Sequence, residues 1–314
     1  MTQDTTGAGE SAATAQTTGA ANQSGRTDWT GAALPLPIPD PAGSAGATPV
    51  RILVIEHDPS DPVLRLGGWL IEAGAELIIT RPYLGESLPA ELTGFDALLS
   101  MGGEMGARDD DVAPWLPAAR ALLSAGVRTA TPTLGICLGG QLLAAATGGT
   151  VRKGPDGPEL GAHLTAKRDA ATSDPLFADM PMTPDVMQYH YDVVSTLPPG
   201  AVLLLSSMGY PNQAWRQGPA AWGLQFHIEP TAENVRDWAR KEDRPLTGRF
   251  GPALDAAEET IGEVWREFAH RFVAFARDFD PATVAGEGAG TATAAGAASG
   301  GTARPLLPVV AIDE

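Results

Sequence analysis

Residues 132–147 read Pro-Thr-Leu-Gly-Ile-Cys-Leu-Gly-Gly-Gln-Leu-Leu-Ala-Ala-Ala-Thr and contain the single cysteine of the chain, Cys137, between Gly135 and Gly139. The spacing G-x-C-x-G is the thiol counterpart of the nucleophile elbow G-x-S-x-G, in which a strand turns sharply into a helix. A short buried strand fits before the cysteine, and residues 141–146 are good helix formers. The stretch therefore predicts a strand, a strained turn at Cys137 and a helix, as found in α/β folds.

Such a turn places Cys137 at the N-terminus of a helix. Unpaired backbone N–H groups and the helix dipole stabilise an anion there, and a nucleophilic thiolate is an anion. The N–H of Leu138 would face an oxygen that becomes negative when the thiolate attacks a carbonyl. A lone cysteine can instead be a small buried hydrophobe. The flanking glycines and the strand-to-helix context favour the nucleophile.

A thiol nucleophile needs a histidine that is close in the fold. Of the five histidines, His227 ends the apolar run 221–226 and is followed two residues later by Glu229. Residues i and i+2 of an extended chain point to the same side, so Glu229 can hold the orientation of the His227 ring. For this His-x-Glu pair alone, a solvated strand end is the alternative. The sequence predicts Cys137, His227 and Glu229 as nucleophile, base and orienting carboxylate.

Three segments together resemble the signature motifs of class I, triad-type, glutamine amidotransferases. They are Gly-Ile-Cys-Leu-Gly-Gly-Gln (135–141), Gln-Phe-His-Ile-Glu (225–229) and Ser-Met-Gly-Gly-Glu-Met-Gly (100–106). The resemblance covers about residues 50–245. Further matches resemble the stand-alone, GMP-synthase-like members: Trp115-Leu116, Gln213-Ala214-Trp215 and Asp237-Trp238.

The resemblance implies that the glutamine side-chain amide is hydrolysed through a γ-glutamyl thioester on Cys137, with release of ammonia and then glutamate. It implies that the backbone N–H groups of Gly103 and Leu138 form the oxyanion hole and that Gln141 contacts the substrate. It also implies a segment that holds the main chain of glutamine, with the residues Tyr189, Tyr191 and Asp192.

The chain departs from the family pattern at three positions. Ile228 stands where the family usually has proline, and Glu104 replaces the usual proline after Gly103, which brings a carboxylate near the oxyanion pocket. Tyr191 occupies a position that is often glycine, and we expect it to narrow the pocket. A stand-alone hydrolase of a γ-glutamyl amine or peptide is therefore an alternative. A second alternative is a non-catalytic regulatory subunit with the same fold, against which the intact triad argues.

Composition excludes several classes of partner and cofactor. The formal charge of −17 over 314 residues argues against binding to nucleic acid or to an anionic membrane. One cysteine excludes an internal disulfide and a cysteine-based zinc site, and it fits a reducing compartment. The sequence shows no signal-peptide pattern, no apolar run near membrane-spanning length and no phosphate-binding glycine loop. We expect a cytoplasmic enzyme without cofactor or metal.

The organisation of the chain follows from the same patterns. Residues 49–279 predict one α/β domain, an open and mostly parallel sheet with helices on both faces and a short antiparallel extension. The resemblance implies that this is the flavodoxin-like class I glutamine amidotransferase fold. Residues 1–48 and 280–314 are rich in Ala, Gly and Thr and predict disordered tails. Because the tails leave no room for an acceptor-activating domain, we expect a separate synthetase subunit to receive any ammonia used in synthesis.

Three local expectations concern the surroundings of the site. Asp61 and Pro62 have the pattern of an N-cap and first residue of a helix over 62–73. His57 follows the first strand, at the edge where ligands bind in open α/β sheets, and it could border the site; a solvated loop histidine is the simpler interpretation. Residues 254–278 predict the longest amphipathic helix, with its apolar stripe packed on the sheet.

Overall fold

The computed structural model describes residues 48–244, 246 and 250–282. The two predicted tails lie almost wholly outside the described residues, so they stay predictions. The strands are β1 (Val50–Ile55), β2 (Ala75–Thr80), β3 (Ala97–Ser100), β4 (Thr133–Ile136), β5 (Thr150–Lys153), β6 (Glu159–Leu164), β7 (Ala166–Lys167), β8 (Asp185–His190), β9 (Asp192–Thr196), β10 (Val202–Ser206), β11 (Ala214–Gln217) and β12 (Ala221–Leu224). The helices are α1 (Leu64–Glu72), α2 (Leu116–Thr129), α3 (Leu138–Ala146), α4 (Ala232–Lys241) and α5 (Phe250–Asp278).

Eight strands form the main sheet in the order β2-β1-β3-β4-β12-β11-β10-β7. The first five are parallel to one another, and the last three continue the sheet in antiparallel pairs. The predicted parallel sheet with an antiparallel extension is confirmed. Strands β5 and β9, and β6 and β8, form two further two-stranded sheets.

The core lies in two layers, one on each face of the sheet. Alternate residues of β1 divide between them: Ile52 and Val54 pack in the layer that includes α1 and α5, and Leu53 and Ile55 pack in the layer that includes α2 and α3. This alternation follows from the two-residue period of a strand. The continuous apolar run of β1 is therefore buried on both faces, as expected of a parallel strand.

The predicted apolar stripe of α5 packs on the protein core. Ile261, Trp265, Phe268 and Phe272 are each 0% exposed. The helix begins at Phe250, four residues before the predicted start. Within the described ranges, no helix combines the length and the apolar character that a membrane span requires.

Asp61 does not cap α1, so the predicted helix start is wrong. The helix begins at Leu64, and no side chain caps it at Val63. The preceding residues form a turn of their own, in which the N–H and hydroxyl of Ser60 donate to Oδ1 of Asp58 and the N–H of Asp61 donates to the Asp58 carbonyl. This turn replaces the predicted N-cap at Asp61 and directs the Asp61 carboxyl toward the interior.

The carboxyl ends of four neighbouring strands, β1, β3, β4 and β12, meet at one edge of the sheet. Ligand sites of open α/β sheets lie at this edge. The segments that follow these strands are 56–61, 101–106, the turn at Cys137 and 225–229. The fold therefore brings the three motif segments together.

Candidate active site

Cys137 forms the turn between β4 and α3 with φ 49° and ψ −106°. This backbone conformation is strained for a residue with a side chain. A Cβ on Gly135 would stand 2.5 Å from the carbonyl carbon of Gly139, and a Cβ on Gly139 would stand 2.0 Å from the carbonyl oxygen of Ser100. The glycines thus allow strand, helix and neighbouring strand to approach closely enough to form the predicted elbow.

The backbone at the elbow includes an N–H suited to an oxyanion, that of Leu138. Gly139 donates to the carbonyl of Met101 at 3.0 Å, and Gln141 donates to the carbonyl of Cys137 at 2.9 Å. Leu138 occupies the first helical position, where the N–H has no acceptor within the helix. Leu138 directly follows Cys137, and its role in an oxyanion hole stays a prediction.

His227 pairs with a carboxylate in the site. Its side chain lines the same cavity as the thiol of Cys137, and its Nδ1 lies 2.5 Å from Oε1 of Glu229. The predicted same-side arrangement of His227 and Glu229 is therefore present. Strand β12 ends at Leu224, before the histidine, and the backbone of His227 exchanges two hydrogen bonds with Met187 of β8 instead. This bridge to the β6–β8 pair fixes the base.

The electrostatics of the buried cluster separate the roles of its members. Burial lowers the pKa of His227, but Glu229, Cys137 and Asp61 outweigh burial, so that this pKa lies well above its ordinary value. Burial raises the pKa of Glu229, but the charge and hydrogen bond of His227 bring it below the ordinary value. Burial, followed by the charge of Glu229, raises the pKa of Asp61 well above the ordinary value. These directions favour positive charge on His227 and negative charge on Glu229, and they favour the neutral carboxyl of Asp61.

Asp61, His227 and Glu229 offer ligand atoms within 4.8 Å of one another and could in principle hold a metal ion. Nδ1 and Oε1, 2.5 Å apart, are in direct hydrogen-bond contact. Two ligands of one zinc ion, each about 2.1 Å from the metal in a tetrahedral site, stand farther apart than that. The geometry fits protons better than a metal.

A cavity of about 550 Å³ opens at Cys137. Of the residues predicted for the site, Cys137, His227, Gly103, Gln141, Tyr189, Tyr191 and Asp192 line it. Leu138 and Glu229 are buried at 1% and 0% exposure and lie behind its wall. The side-chain amide of Gln141 donates to the carbonyl of Asp192 at 3.0 Å, so it holds this wall in place.

Trp238 and Asp61 complete the site without having been predicted as site residues. The ring of Trp238 lies 4.9 Å from the ring of His227, and its Nε1 donates to the carbonyl of Ser60 at 2.9 Å. Oδ1 of Asp61 lies 3.8 Å from Nδ1 of His227. The one sequence signal for Asp61 is its place after a buried strand, at the edge where parallel strands end.

Two other histidines near the site are buried. The expectation of a solvated His57 is wrong, because this residue is 0% exposed, accepts from Trp115 at Nδ1 and bonds to the Ser100 hydroxyl at Nε2. Burial lowers the pKa of His57 to about 3, so it is neutral. His190 lies between Glu159 and the Asp192 carbonyl, at 3.1 Å from each. His190 therefore supports the same cavity wall as Gln141.

Residues 71–236 match the model of the family described as glutamine amidotransferase class-I. The chain belongs to this family. It is 28% identical over 205 residues to the glutamine amidotransferase-like protein YfeJ of Salmonella typhimurium. This alignment covers 64% of this chain and 85% of the relative. It is 33% identical over 150 residues to the glutamine-hydrolyzing GMP synthase of Porphyromonas gingivalis. This alignment covers 47% of this chain and 27% of that enzyme.

Solved structures of glutamine amidotransferases share the fold. A glutamine amidotransferase from Thermotoga maritima superposes with a TM-score of 0.64 at 28% identity, covering 72% of this chain and 99% of that one. The predicted fold class and family resemblance are confirmed.

Proposed function

We propose that this amidotransferase hydrolyses the side-chain amide of glutamine, with Cys137 as nucleophile, His227 as acid and base, and Glu229 as the carboxylate that orients His227. The observation that carries the proposal is that the strained Cys137 and His227 line one cavity and that Nδ1 of His227 lies 2.5 Å from Oε1 of Glu229. An activated nucleophile has this arrangement, in which a third group orients the base.

In the proposed reaction, the Cys137 thiolate forms a C–S bond to the side-chain carbonyl carbon, and the carbonyl electrons move to its oxygen. The oxyanion is stabilised by the N–H groups of Leu138 and Gly103. The His227 imidazolium gives its proton to the amide nitrogen, the C–N bond breaks, and ammonia leaves. Water then loses a proton to His227 and attacks the thioester, which releases glutamate and the thiolate.

Substrate placement is assigned to the cavity wall that Gln141 and His190 hold. Tyr189, Tyr191 and Asp192 lie on this wall, and Gln141 lines the cavity beside Cys137. Burial and the hydrogen bond to Glu242 raise the pKa of Tyr191 to about 12, so its hydroxyl stays protonated. We assign the recognition of the glutamine main chain to these side chains.

The ammonia acceptor is assigned to a separate synthetase protein. The chain aligns with 27% of the Porphyromonas gingivalis GMP synthase, so most of that enzyme has no counterpart in the aligned region. Affinity purification of the full chain from its own cells tests this assignment. A retained protein that raises glutamine hydrolysis is expected, and full activity of the isolated chain with no retained partner counts against it.

The catalytic proposal is tested by incubating the full chain with L-glutamine and measuring glutamate and ammonia. Cys137→Ala is the matched variant, since it removes one sulfur atom at the apex of the turn. Equal amounts of the two products from the wild type, and none from the variant, are expected. Hydrolysis that survives in Cys137→Ala would refute the thiol mechanism. A folded wild type that hydrolyses no γ-glutamyl compound would favour the non-catalytic regulatory subunit.

One observation favours hydrolysis of a γ-glutamyl amine as a second candidate function. Among the described lining residues, one lysine, Lys241, and no arginine stand against four carboxylate residues besides Asp61: Glu104, Asp109, Asp192 and Glu242. Desolvation and the charge of Asp58 raise the pKa of Glu104, which indicates crowding of negative charge. The single ammonium group of glutamine requires fewer than four carboxylates to balance its charge. A substrate whose leaving group is itself a cationic amine would pair with the remaining carboxylates.

A matched pair of substrates tests the second candidate. The γ-glutamyl amides of 1,4-diaminobutane and of pentylamine differ in a terminal ammonium against a methyl group. The candidate predicts at least a tenfold larger kcat/KM for the cationic amide and a smaller ratio in Glu104→Gln. Equal values for the two amides, or a preference for free glutamine over both, would reject it and leave the first proposal intact.

A further inference from the structure

Asp61 lies against the orienting end of the catalytic cluster. Ligand atoms of Asp61, His227 and Glu229 all lie within 4.8 Å of one another, and Oδ1 of Asp61 lies 3.8 Å from Nδ1 of His227. Asp61 is 5% exposed. Within the described residues, no donor reaches Oδ1. A hydroxyl carried by the Asp61 carboxyl needs an acceptor there, and Glu229 supplies one.

The backbone is built to admit this carboxyl. A Cβ on Gly102 would stand 1.7 Å from Oδ2 of Asp61 and 3.1 Å from Cε1 of His227. The Asp61 side chain therefore fills the space that any larger residue at position 102 would take. The turn at 58–61 and the Trp238 bond to the Ser60 carbonyl hold Asp61 in this place.

The charged groups around Asp61 allow only one of the two neighbouring carboxyls, Asp61 or Glu229, to be ionised. Asp58 lies on the same turn, and Glu229 and His227 approach from the segment after β12. From α1, Arg65 interacts with Glu229. Two buried carboxyls in contact cannot both ionise without a large free-energy cost. His227 and Arg65 favour the charge on Glu229, so the proton stays on Asp61.

We propose that Asp61 is a positioning residue whose protonated carboxyl donates a hydrogen bond to Glu229 and holds Glu229 against His227. With this bond, Glu229 accepts from Asp61, from His227 and from the N–H of Ile228. Three donors fix both the position and the charge of the carboxylate. The inference rests on the proposed thiol mechanism, because it assigns Asp61 a function through His227.

The test uses the reactivity of Cys137, which needs no substrate. Since the chain has one cysteine, the rate of iodoacetamide incorporation against pH reports this thiolate alone. Asn at position 61 can donate to Glu229 but cannot ionise, and Ala can do neither. The midpoint of the Asp61→Asn profile is expected to match the wild type. The midpoint of Asp61→Ala is expected to move upward by about one pH unit, because a less well-held Glu229 stabilises the imidazolium and its thiolate less.

Two patterns would overturn the inference. Equal upward shifts in Asp61→Asn and Asp61→Ala would show that Asp61 acts as an anion, and unchanged profiles in both would show that it positions nothing. Asp58→Asn is the matched control, since it removes a nearby carboxylate that does not bond to Glu229. A shift in this control as large as that of Asp61→Ala would also count against the inference.

A second measurement separates this inference from the proposed function. In histidine-labelled protein, NMR detects the hydrogen-bonded Nδ1 proton of His227 at low field. The signal is expected in the wild type and in Asp61→Asn, and it is expected to weaken or vanish in Asp61→Ala. If Cys137 does not react with iodoacetamide in the folded wild type, the thiol mechanism fails. The NMR comparison then still decides whether Asp61 holds Glu229, and a signal unchanged in Asp61→Ala would refute that.

Discussion

The backbone N–H of Ile228 donates a 2.8 Å hydrogen bond to Oε2 of Glu229. The other oxygen of the same carboxylate, Oε1, faces His227 at 2.5 Å. A proline, the residue expected here from the family resemblance, has no N–H and cannot make this bond. The departure at Ile228 thus supplies a donor to the orienting carboxylate.

Ile228→Pro is expected to lower the free energy of unfolding by about 2–4 kcal/mol. A hydrogen bond to a charged group contributes about 1.5–3 kcal/mol, and loss of the buried side chain adds to this. Ile228→Val keeps the N–H and should cost about 0.5–1.5 kcal/mol. Urea unfolding of both variants measures the difference. Equal losses would show that the N–H contributes nothing.

Glu229→Gln is expected to reduce glutamine hydrolysis by about 10²- to 10⁴-fold, the usual contribution of an acid–base group. Glutamine at position 229 keeps an acceptor for His227 but removes the negative charge. Because that charge raises the pKa of His227, the pKa falls in the variant. The imidazolium that protonates the leaving ammonia is lost as pH rises through this pKa. The alkaline limb of the kcat profile should therefore move to lower pH.

Glutamate release measured across pH for wild type and Glu229→Gln checks this prediction. Glu233→Gln on α4 is the control, since its side chain is 62% exposed and pairs with surface arginines. An alkaline limb that stays in place in Glu229→Gln would contradict the assignment of His227 as the acid.

The parts of the site that the sequence predicted are those encoded by local spacing. The elbow needs Gly135 and Gly139 at fixed distances from Cys137, and the contact of His227 with Glu229 needs two residues of extended chain. Both patterns are short enough to recognise without a fold. The buried strands and the stripe of α5 were predictable for the same reason, since their periods of two and 3.6 residues are local properties.

Asp61 was not predictable in this way because local and tertiary demands conflict. The Asp-Pro pair favours a helix start, but the turn closed by Asp58 ends before the helix and turns Asp61 inward. Its partner Glu229 follows a strand far along the chain. The neutrality of His57 likewise depends on Trp115 and Ser100, which come from other elements. Such contacts become visible when the strand order is known.

Gly102→Ala is expected to abolish most of the activity in a protein that still folds. The added Cβ would stand 1.7 Å from Oδ2 of Asp61, so the carboxyl must leave the cluster. Gly68→Ala is the matched control, because a Cβ there meets nothing within 4 Å and should be neutral or stabilise α1 by about 0.5–1 kcal/mol. Activity and thermal melting of both variants measure the effect. A fully active Gly102→Ala would show that Asp61 can move without consequence.

His57 is expected to make the protein less stable as pH falls from neutrality. Its folded pKa of about 3 lies below the ordinary value of 6.5, so the unfolded chain binds the proton first. The stability contributed by neutral His57 is present above pH 6.5 and is lost progressively toward pH 3. By pH 5 the loss is about 2 kcal/mol.

His57→Gln can still accept from Trp115 and donate to Ser100 but cannot titrate, so its urea-unfolding free energy should fall less between pH 7 and pH 5. His163→Gln, at a partly buried histidine of β6, is the control for replacing a histidine by glutamine. Equal slopes in all three proteins would mean that His57 is protonated in the folded state.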